Sequence, residues 1–256
     1  MNAENFNLQA YLERVGFPGK PSADFETLRR LMRCQLFTVP FENLDVQSGK
    51  VVSLIPEEIY RKIVEGGRGG YCYEVNGLFS MALDAIGVPH RLIAARPMTY
   101  PARRPKTHMA LVVTSGGSEW LFDLGFGSFT IREPLNLART DCEVSQDDET
   151  FRLVMSTQRD YLLQSFTDDG WKNLYEFDLY PQEWVDFEPA NYMNSTHPDS
   201  IFVREFMVVL QKQNGKDVLL GDRFKSFTKG GTESRMVSQE ELPSLLMQKF
   251  SLRWPV

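Results

Sequence analysis

Basic residues are in short supply. The 256-residue chain has 28 lysines and arginines against 34 acids, a net charge of −6, which argues against nonspecific nucleic-acid binding. Cysteine and histidine are scarcer still, at three each. Cys34, Cys72 and Cys142 are odd in number and widely scattered, so no disulfide framework is expected. Without a CxxC pair or a Cys/His cluster, no metal site is expected either. No apolar run approaches membrane-spanning length, and the first residues lack the basic-then-apolar pattern of a secretory leader. The expectation is a soluble, cytoplasmic protein. Ordinary apolar and charged fractions, 42% and 24%, exclude a disordered or fibrous chain.

What is present divides into two periodicities. In the first third, Leu8, Tyr11, Leu12 and Val15 recur at helical spacing, with Gly16 as a stop and Pro18 beyond. Phe25, Leu28, Leu31, Met32 and Leu36 describe a second helix that Pro40 ends. A third is expected from Pro56 through Ile63 to the Gly66-Gly67 break. The fourth begins at Cys72 and closes at Gly87. From His90 the pattern becomes that of short strands, with Met109 to Val113 and Trp120 to Leu124 joined across Ser115-Gly116-Gly117-Ser118 as a hairpin. Strands around residues 151–155, 161–166 and 171–177 continue the series, which suggests a barrel or sandwich. A polar segment, Glu183 to Ser200, precedes a strand pair, Phe202 to Leu210 and Val218 to Phe227. Ser238 and Glu241 form a capping box for a last helix, Leu242 to Phe250.

One cysteine stands apart from the other two. Arg68-Gly69-Gly70 leads into Cys72, followed by apolar residues at Val75, Leu78, Phe79 and Leu83, a loop turning sharply into an amphipathic helix. A thiol in a helix's first turn meets unpaired N–H groups and the positive end of the dipole, which favour thiolate. Cys34 lies mid-helix without a glycine lead-in, and Cys142 sits in a polar loop. A nucleophilic thiol needs a base. His90 and His197 read as loop residues, whereas His108 heads the apolar run Met109 to Val113. Asp123 lies inside the apolar segment Trp120 to Gly127, where a carboxylate without a partner is costly. If the two strands pair, His108 and Asp123 meet at the open end of their hairpin, and a Cys72-His108-Asp123 triad follows.

These residues carry a resemblance. Arg68-Gly69-Gly70-Tyr71-Cys72-Tyr73-Glu74-Val75-Asn76, Val39-Pro40-Phe41-Glu42-Asn43-Leu44 and Asp123-Leu124-Gly125-Phe126-Gly127 together resemble the arylamine N-acetyltransferases. The opening segment Tyr11 to Gly16 is similar as well. Order and spacing agree, at 36 residues from Cys72 to His108 (108 − 72) and 15 from His108 to Asp123 (123 − 108). The likeness is specific over residues 11–127 and thins beyond. Tyrosines flank the cysteine where phenylalanine is common in the family.

The resemblance implies an α+β fold in three parts: a helical bundle at 1–88 carrying Cys72, an antiparallel β-barrel at 89–195 carrying His108 and Asp123, and a C-terminal α/β lid at 196–256. It implies a ping-pong transfer of acetyl from acetyl-CoA, through acetyl-Cys72, to arylamines, arylhydrazines or N-hydroxyarylamines, with no metal. Phe41 and Phe126 match positions lining the aryl pocket. The backbone N–H groups of Cys72 and Tyr73 are candidates for holding the oxyanion. Arg103 and Arg104, in a basic loop before His108, are candidates for steering CoA phosphates. A monomer or weak homodimer is expected, without nucleic-acid or membrane partners. A papain-like or transglutaminase-like thiol hydrolase, and a binding module with an idle triad, remain the alternatives.

Overall fold

In this computed structural model the described residues are 3–156 and 160–254; Met1 and Asn2, the head of the stretch read for a leader, lie outside them. The N-terminal helices form where capping and periodicity place them. Asn7 and Asp24 accept first-turn N–H groups to open α1 (Leu8–Val15) and α2 (Phe25–Thr38). Gly16 closes α1 at φ 68°. A two-residue strand, β1 (Phe41–Glu42), and a single turn, α3 (Leu44–Gln47), come next. Pro56 opens α4 (Pro56–Tyr60) as expected, but the helix then widens into a π turn at Arg61–Glu65. Two carbonyls of that turn are satisfied from outside: Arg14 Nε donates to Ile63 at 2.8 Å and Arg68 N–H to Lys62 at 3.1 Å. The central helix α5 (Cys72–Ile86) is buried from Cys72 through Leu83, so it packs on all sides.

The strands at 90–177 make one antiparallel sheet of eight: β2 (His90–Pro97), β3 (His108–Ser115), β4 (Ser118–Phe122), β5 (Leu135–Asn136), β6 (Val144–Gln146), β7 (Glu149–Met155), β8 (Tyr161–Thr167) and β9 (Gly170–Phe177). Their order is β5-β4-β3-β2-β9-β8-β7-β6. Gly116 and Gly117, at φ 60° and 76°, make the tight turn between β3 and β4, a conformation that spares a Cβ-free residue and penalises others. The two ends of the sheet meet through Gln146. Its side-chain oxygen accepts the Arg132 and Glu133 N–H groups at 2.7 and 3.1 Å, and its amide donates to the Glu133 carbonyl at 2.8 Å. The sheet is thereby a nearly closed barrel, one of the two forms, barrel or sandwich, that the strand spacing suggests and the one that the resemblance implies.

The C-terminal part departs further from expectation. The polar 183–200 segment folds as a 3-10 turn followed by α6 (Glu188–Thr196). Phe202 belongs to a short helix, α7 (Ile201–Arg204), and the strand β10 starts only at Met207 (Met207–Lys212). The expected single strand 218–227 is two, β11 (Gly215–Leu220) and β12 (Arg223–Thr228), and β13 (Gly231–Met236) adds an exposed edge. This second sheet has the order β1-β10-β11-β12-β13, so Phe41 pairs with Val209. Ser238 and Glu241 exchange the two bonds of the expected capping box before α8 (Leu242–Phe250). The class is α+β, and one continuous core joins bundle and barrel. Among the described residues no helix is long and apolar enough to cross a membrane.

Candidate active site

Cys72 is the first residue of α5 and is buried. The two glycines before it are there for close approach. A Cβ on Gly69 would lie 2.0 Å from the Pro40 carbonyl oxygen, and one on Gly70 would lie 2.6 Å from Glu74 Cβ. Glu74 accepts the Tyr71 N–H at 3.0 Å, capping the helix where the thiol sits. The N–H groups of Cys72 and Tyr73 have no hydrogen-bond partner among the described residues, as the orphan donors of a helix start should not. The flanking tyrosines tie this start to its surroundings. The Tyr71 hydroxyl donates to Asn191 of α6, and the Tyr73 hydroxyl donates to the Thr107 carbonyl at 2.8 Å, one residue before His108.

His108 and Asp123 meet at the open end of the β3–β4 hairpin, both buried, with Nε2 2.8 Å from Oδ2. The other ring nitrogen, Nδ1, is left for the thiol. Burial alone would lower the imidazole, but the Asp123 charge and hydrogen bond, joined by the hydrogen bond to Cys72, raise it from the ordinary 6.5 to about 10. Burial likewise works against the Asp123 carboxylate, yet His108, the Gly125 N–H and Asn76 hold it below its ordinary range. The carboxylate therefore stays charged beside an imidazolium.

Three neighbours without an assigned role in the sequence reading complete this arrangement. Asn76, one turn after Cys72, donates to Asp123 Oδ1 at 3.1 Å and to the Met109 carbonyl at 2.8 Å, and accepts the Leu124 N–H at 2.9 Å. Its i+4 spacing from Cys72 within an apolar helix was a usable signal. Gly125 brings the Asp123 loop onto α5: a Cβ there would lie 2.7 Å from Cys72 Cα. Tyr175 of β9 packs its ring 5.0 Å from that of His108. Its hydroxyl is buried without a standard hydrogen bond among the described residues, and burial, then the nearby Asp123 carboxylate, push the phenol well up. Nothing in a strand's alternation marks such a tyrosine.

Cys72 and His108 open on a cavity of about 360 Å³, with Phe41 and Phe126 in its wall. Phe129, Phe202, Met207 and Tyr100 share the lining, and sequence reasoning missed them because they come from a 3-10 turn, α7, the first residue of β10 and a loop. The Phe126 ring stands edge-on to His108 at 4.9 Å. A wider cleft of about 1110 Å³ adjoins this pocket, sharing Tyr100, Ser128, Phe129, Ile201 and Leu220 with it. Arg104 lines that cleft; Arg103 lines neither cavity and stands exposed, 3.6 Å from Glu176. His90, expected in a solvated turn, instead opens β2 with its ring 2.7 Å from the Ser80 hydroxyl. Cys34 and Cys142 are half-buried in α2 and in a loop, and line neither cavity.

A buried thiol, imidazole and carboxylate opening on an aromatic-walled pocket define, as a class, a protein built for nucleophilic acyl chemistry. The comparisons with known proteins narrow this. Residues 24–255 match the family described as N-acetyltransferase. The arylamine N-acetyltransferase of Mycolicibacterium smegmatis is 30% identical over 96% of this chain and 92% of its own length. Human arylamine N-acetyltransferase 1 is 30% identical over 96% and 94%. Among solved structures, the Salmonella typhimurium arylamine N-acetyltransferase superposes with a TM-score of 0.91 at 30% identity, covering 96% of this chain and 90% of that one. The Mycobacterium marinum enzyme in complex with CoA gives 0.88 at 32%, covering 96% and 92%. The chain belongs to the arylamine N-acetyltransferase family.

Proposed function

We propose that this protein transfers acetyl from acetyl-CoA to arylamines, arylhydrazines or N-hydroxyarylamines through an acetyl-Cys72 intermediate. The observation that carries this reading is the shared pocket: Cys72 and His108 both line a cavity walled by phenylalanines, which suits a planar amine. Cys72 Sγ attacks the thioester carbonyl, and the C–S bond to CoA breaks as CoA's sulfur leaves with the proton of His108. One sulfur replaces another, so the exchange is nearly balanced in energy. The amine then attacks the acetyl carbonyl and gives a proton to His108, and the Cys72 thiolate departs.

Asp123 keeps the ring oriented throughout and favours its charged form. The unpartnered N–H groups of Cys72 and Tyr73 are the donors we assign to the oxyanion. Phe41 and Phe126 hold the aryl ring. The adjoining cleft of about 1110 Å³ is our candidate for the CoA moiety, with Arg204, Arg223 and Lys225 in its lining to meet phosphates. Arg104 at its edge keeps a steering role, and exposed Arg103 contributes only at long range. The bundle at 1–88, barrel at 89–195 and lid at 196–256 act as the three units of this machine, in a cytoplasmic monomer or weak homodimer.

Intact-protein mass after incubation with acetyl-CoA tests the reading. One acetyl adduct is expected, absent from Cys72→Ala and discharged by an aromatic amine. An adduct discharged only by water would make the protein a thioester hydrolase, and no adduct at all would sink the reading.

A further inference from the structure

We infer that Tyr100 sets the size of acceptor the enzyme takes, its ring forming the partition between the thiol pocket and the wide cleft. Tyr100 is one of five residues, with Ser128, Phe129, Ile201 and Leu220, that line both cavities, so it stands at their boundary. It belongs to the loop between β2 and β3, and three contacts hold that loop in place. The Arg104 guanidinium lies 4.4 Å from the centre of the Tyr100 ring, within cation–π range. Arg104 Nη2 donates to the Asp199 carbonyl at 2.6 Å, in the turn between α6 and α7, and Arg96 donates to the Arg104 carbonyl. The ring is therefore backed by a cation that is itself anchored to the segment carrying Phe202 of the pocket wall.

The chemistry favours a wall over a polar contact. Burial pushes the Tyr100 phenol up against the opposing pull of Arg104, so the side chain is uncharged at neutral pH. Its hydroxyl has no hydrogen-bond partner among the described residues, which leaves the ring edge as the feature a substrate meets. A one-ring amine fits on the thiol side of that edge. A longer acceptor must displace the ring or pass it into the cleft of about 1110 Å³. Truncating Tyr100 widens the passage between the two spaces, while Ser128, Phe129, Ile201 and Leu220 keep the rest of their boundary.

This inference rests on the arylamine acetyl transfer proposed above. The test uses acetyl-enzyme prepared with acetyl-CoA and freed of CoA, so donor affinity drops out. Deacetylation rate constants are measured with aniline and with 4-aminobiphenyl. In Tyr100→Ala the ratio of 4-aminobiphenyl to aniline should rise about tenfold, the scale on which a hydrophobic pocket discriminates size. Tyr100→Phe should retain the wild-type ratio. Arg104→Ala should move the ratio in the same direction by about threefold. Tyr100→Leu replaces the alanine variant if that fails to form the Cys72 adduct in normal yield. A ratio in Tyr100→Ala within about twofold of wild type, with the adduct formed, overturns the inference alone. A Tyr100→Phe ratio as shifted as that of alanine overturns it too, by assigning the effect to the hydroxyl. No adduct in the wild type overturns the functional reading and this inference with it.

Discussion

Two clusters of buried charge flank the start of α5, and they are balanced differently. On the barrel side one carboxylate, Asp123, faces one imidazole, with Asn76 and the Gly125 N–H completing its shell. On the bundle side three carboxylates, Glu42, Asp45 and Glu74, meet two cations, Lys62 and Arg68. Lys62 Nζ lies 2.5 Å from Asp45 and 2.7 Å from Glu74, and Arg68 Nη2 lies 2.8 Å from Glu42. The outcomes differ accordingly. The balanced pair holds both partners charged. In the crowded cluster, burial and the like charge of Glu42 outweigh Lys62, and Glu74 is raised from its ordinary 4.5 to about 7. A buried charge needs a full complement of partners, and an excess of one sign is relieved by a proton.

The largest expected effect lies on the balanced side. Asp123→Asn should reduce amine acetylation by about 10³ to 10⁴-fold, as loss of an imidazole's orienting carboxylate does elsewhere, and drop the His108 titration, read by NMR, well below about 10. A loss under about tenfold would show that the pair is not what activates the thiol. Its stability signature has two edges. His108, raised in the fold, contributes stability fully present below its ordinary 6.5 and lost as pH rises through about 10. Asp123, lowered in the fold, contributes stability present above its ordinary 3.8 and lost as pH falls through its depressed value.

Next in size is Lys62→Met, which strips the crowded cluster of the cation shared by Asp45 and Glu74. Urea unfolding should register a loss of about 3 kcal/mol; an unchanged midpoint would mean the carboxylates were already relieved. Glu74→Gln should go the other way, and only at higher pH. Because the folded Glu74 carboxyl holds its proton more tightly than the unfolded one, wild-type stability falls as pH rises from 4.5 to about 7. The variant lacks that decline, so its advantage should grow across this window, to on the order of 1–3 kcal/mol, and stay level above it. Melting temperatures at pH 5 and pH 8 check this. The smallest effect is expected for Tyr73→Phe, about 1 kcal/mol, from loss of the bond to the Thr107 carbonyl that links the two sides.

The balanced side was legible in the sequence and the crowded side was not. Cys72, His108 and Asp123 each break a local pattern: a thiol after two glycines, an imidazole at the head of an apolar run, a carboxylate inside one. The bundle helices and the Gly116-Gly117 hairpin were legible for the same reason, since capping, periodicity and turn chemistry are local. Glu42, Lys62 and Glu74 break nothing, because charged residues in helices and loops look solvated until tertiary packing buries them. β1 is too short to show alternation, β13 is exposed along its whole length, and α6, with buried Asn191, Asn194 and Ser195, keeps a polar face inward. β1 and α6 are specified by hydrogen bonds to distant residues, and β13 by pairing with its hairpin neighbour β12, rather than by their own hydrophobic pattern.

Those distant bonds also order events in time. Phe41, part of the thiol pocket, is held in β1 by pairing with Val209, 168 residues later (209 − 41). During synthesis the bundle and barrel can emerge and pack while β1 still has no partner strand, since β10 leaves the ribosome last but for the final hairpins and α8. Through that interval the Cys72 helix is present without the wall that encloses its thiol. The closed pocket is therefore a late acquisition: a nascent chain halted before residue 207 lacks Met207 and Leu220 of the lining and the strand that holds Phe41 in place.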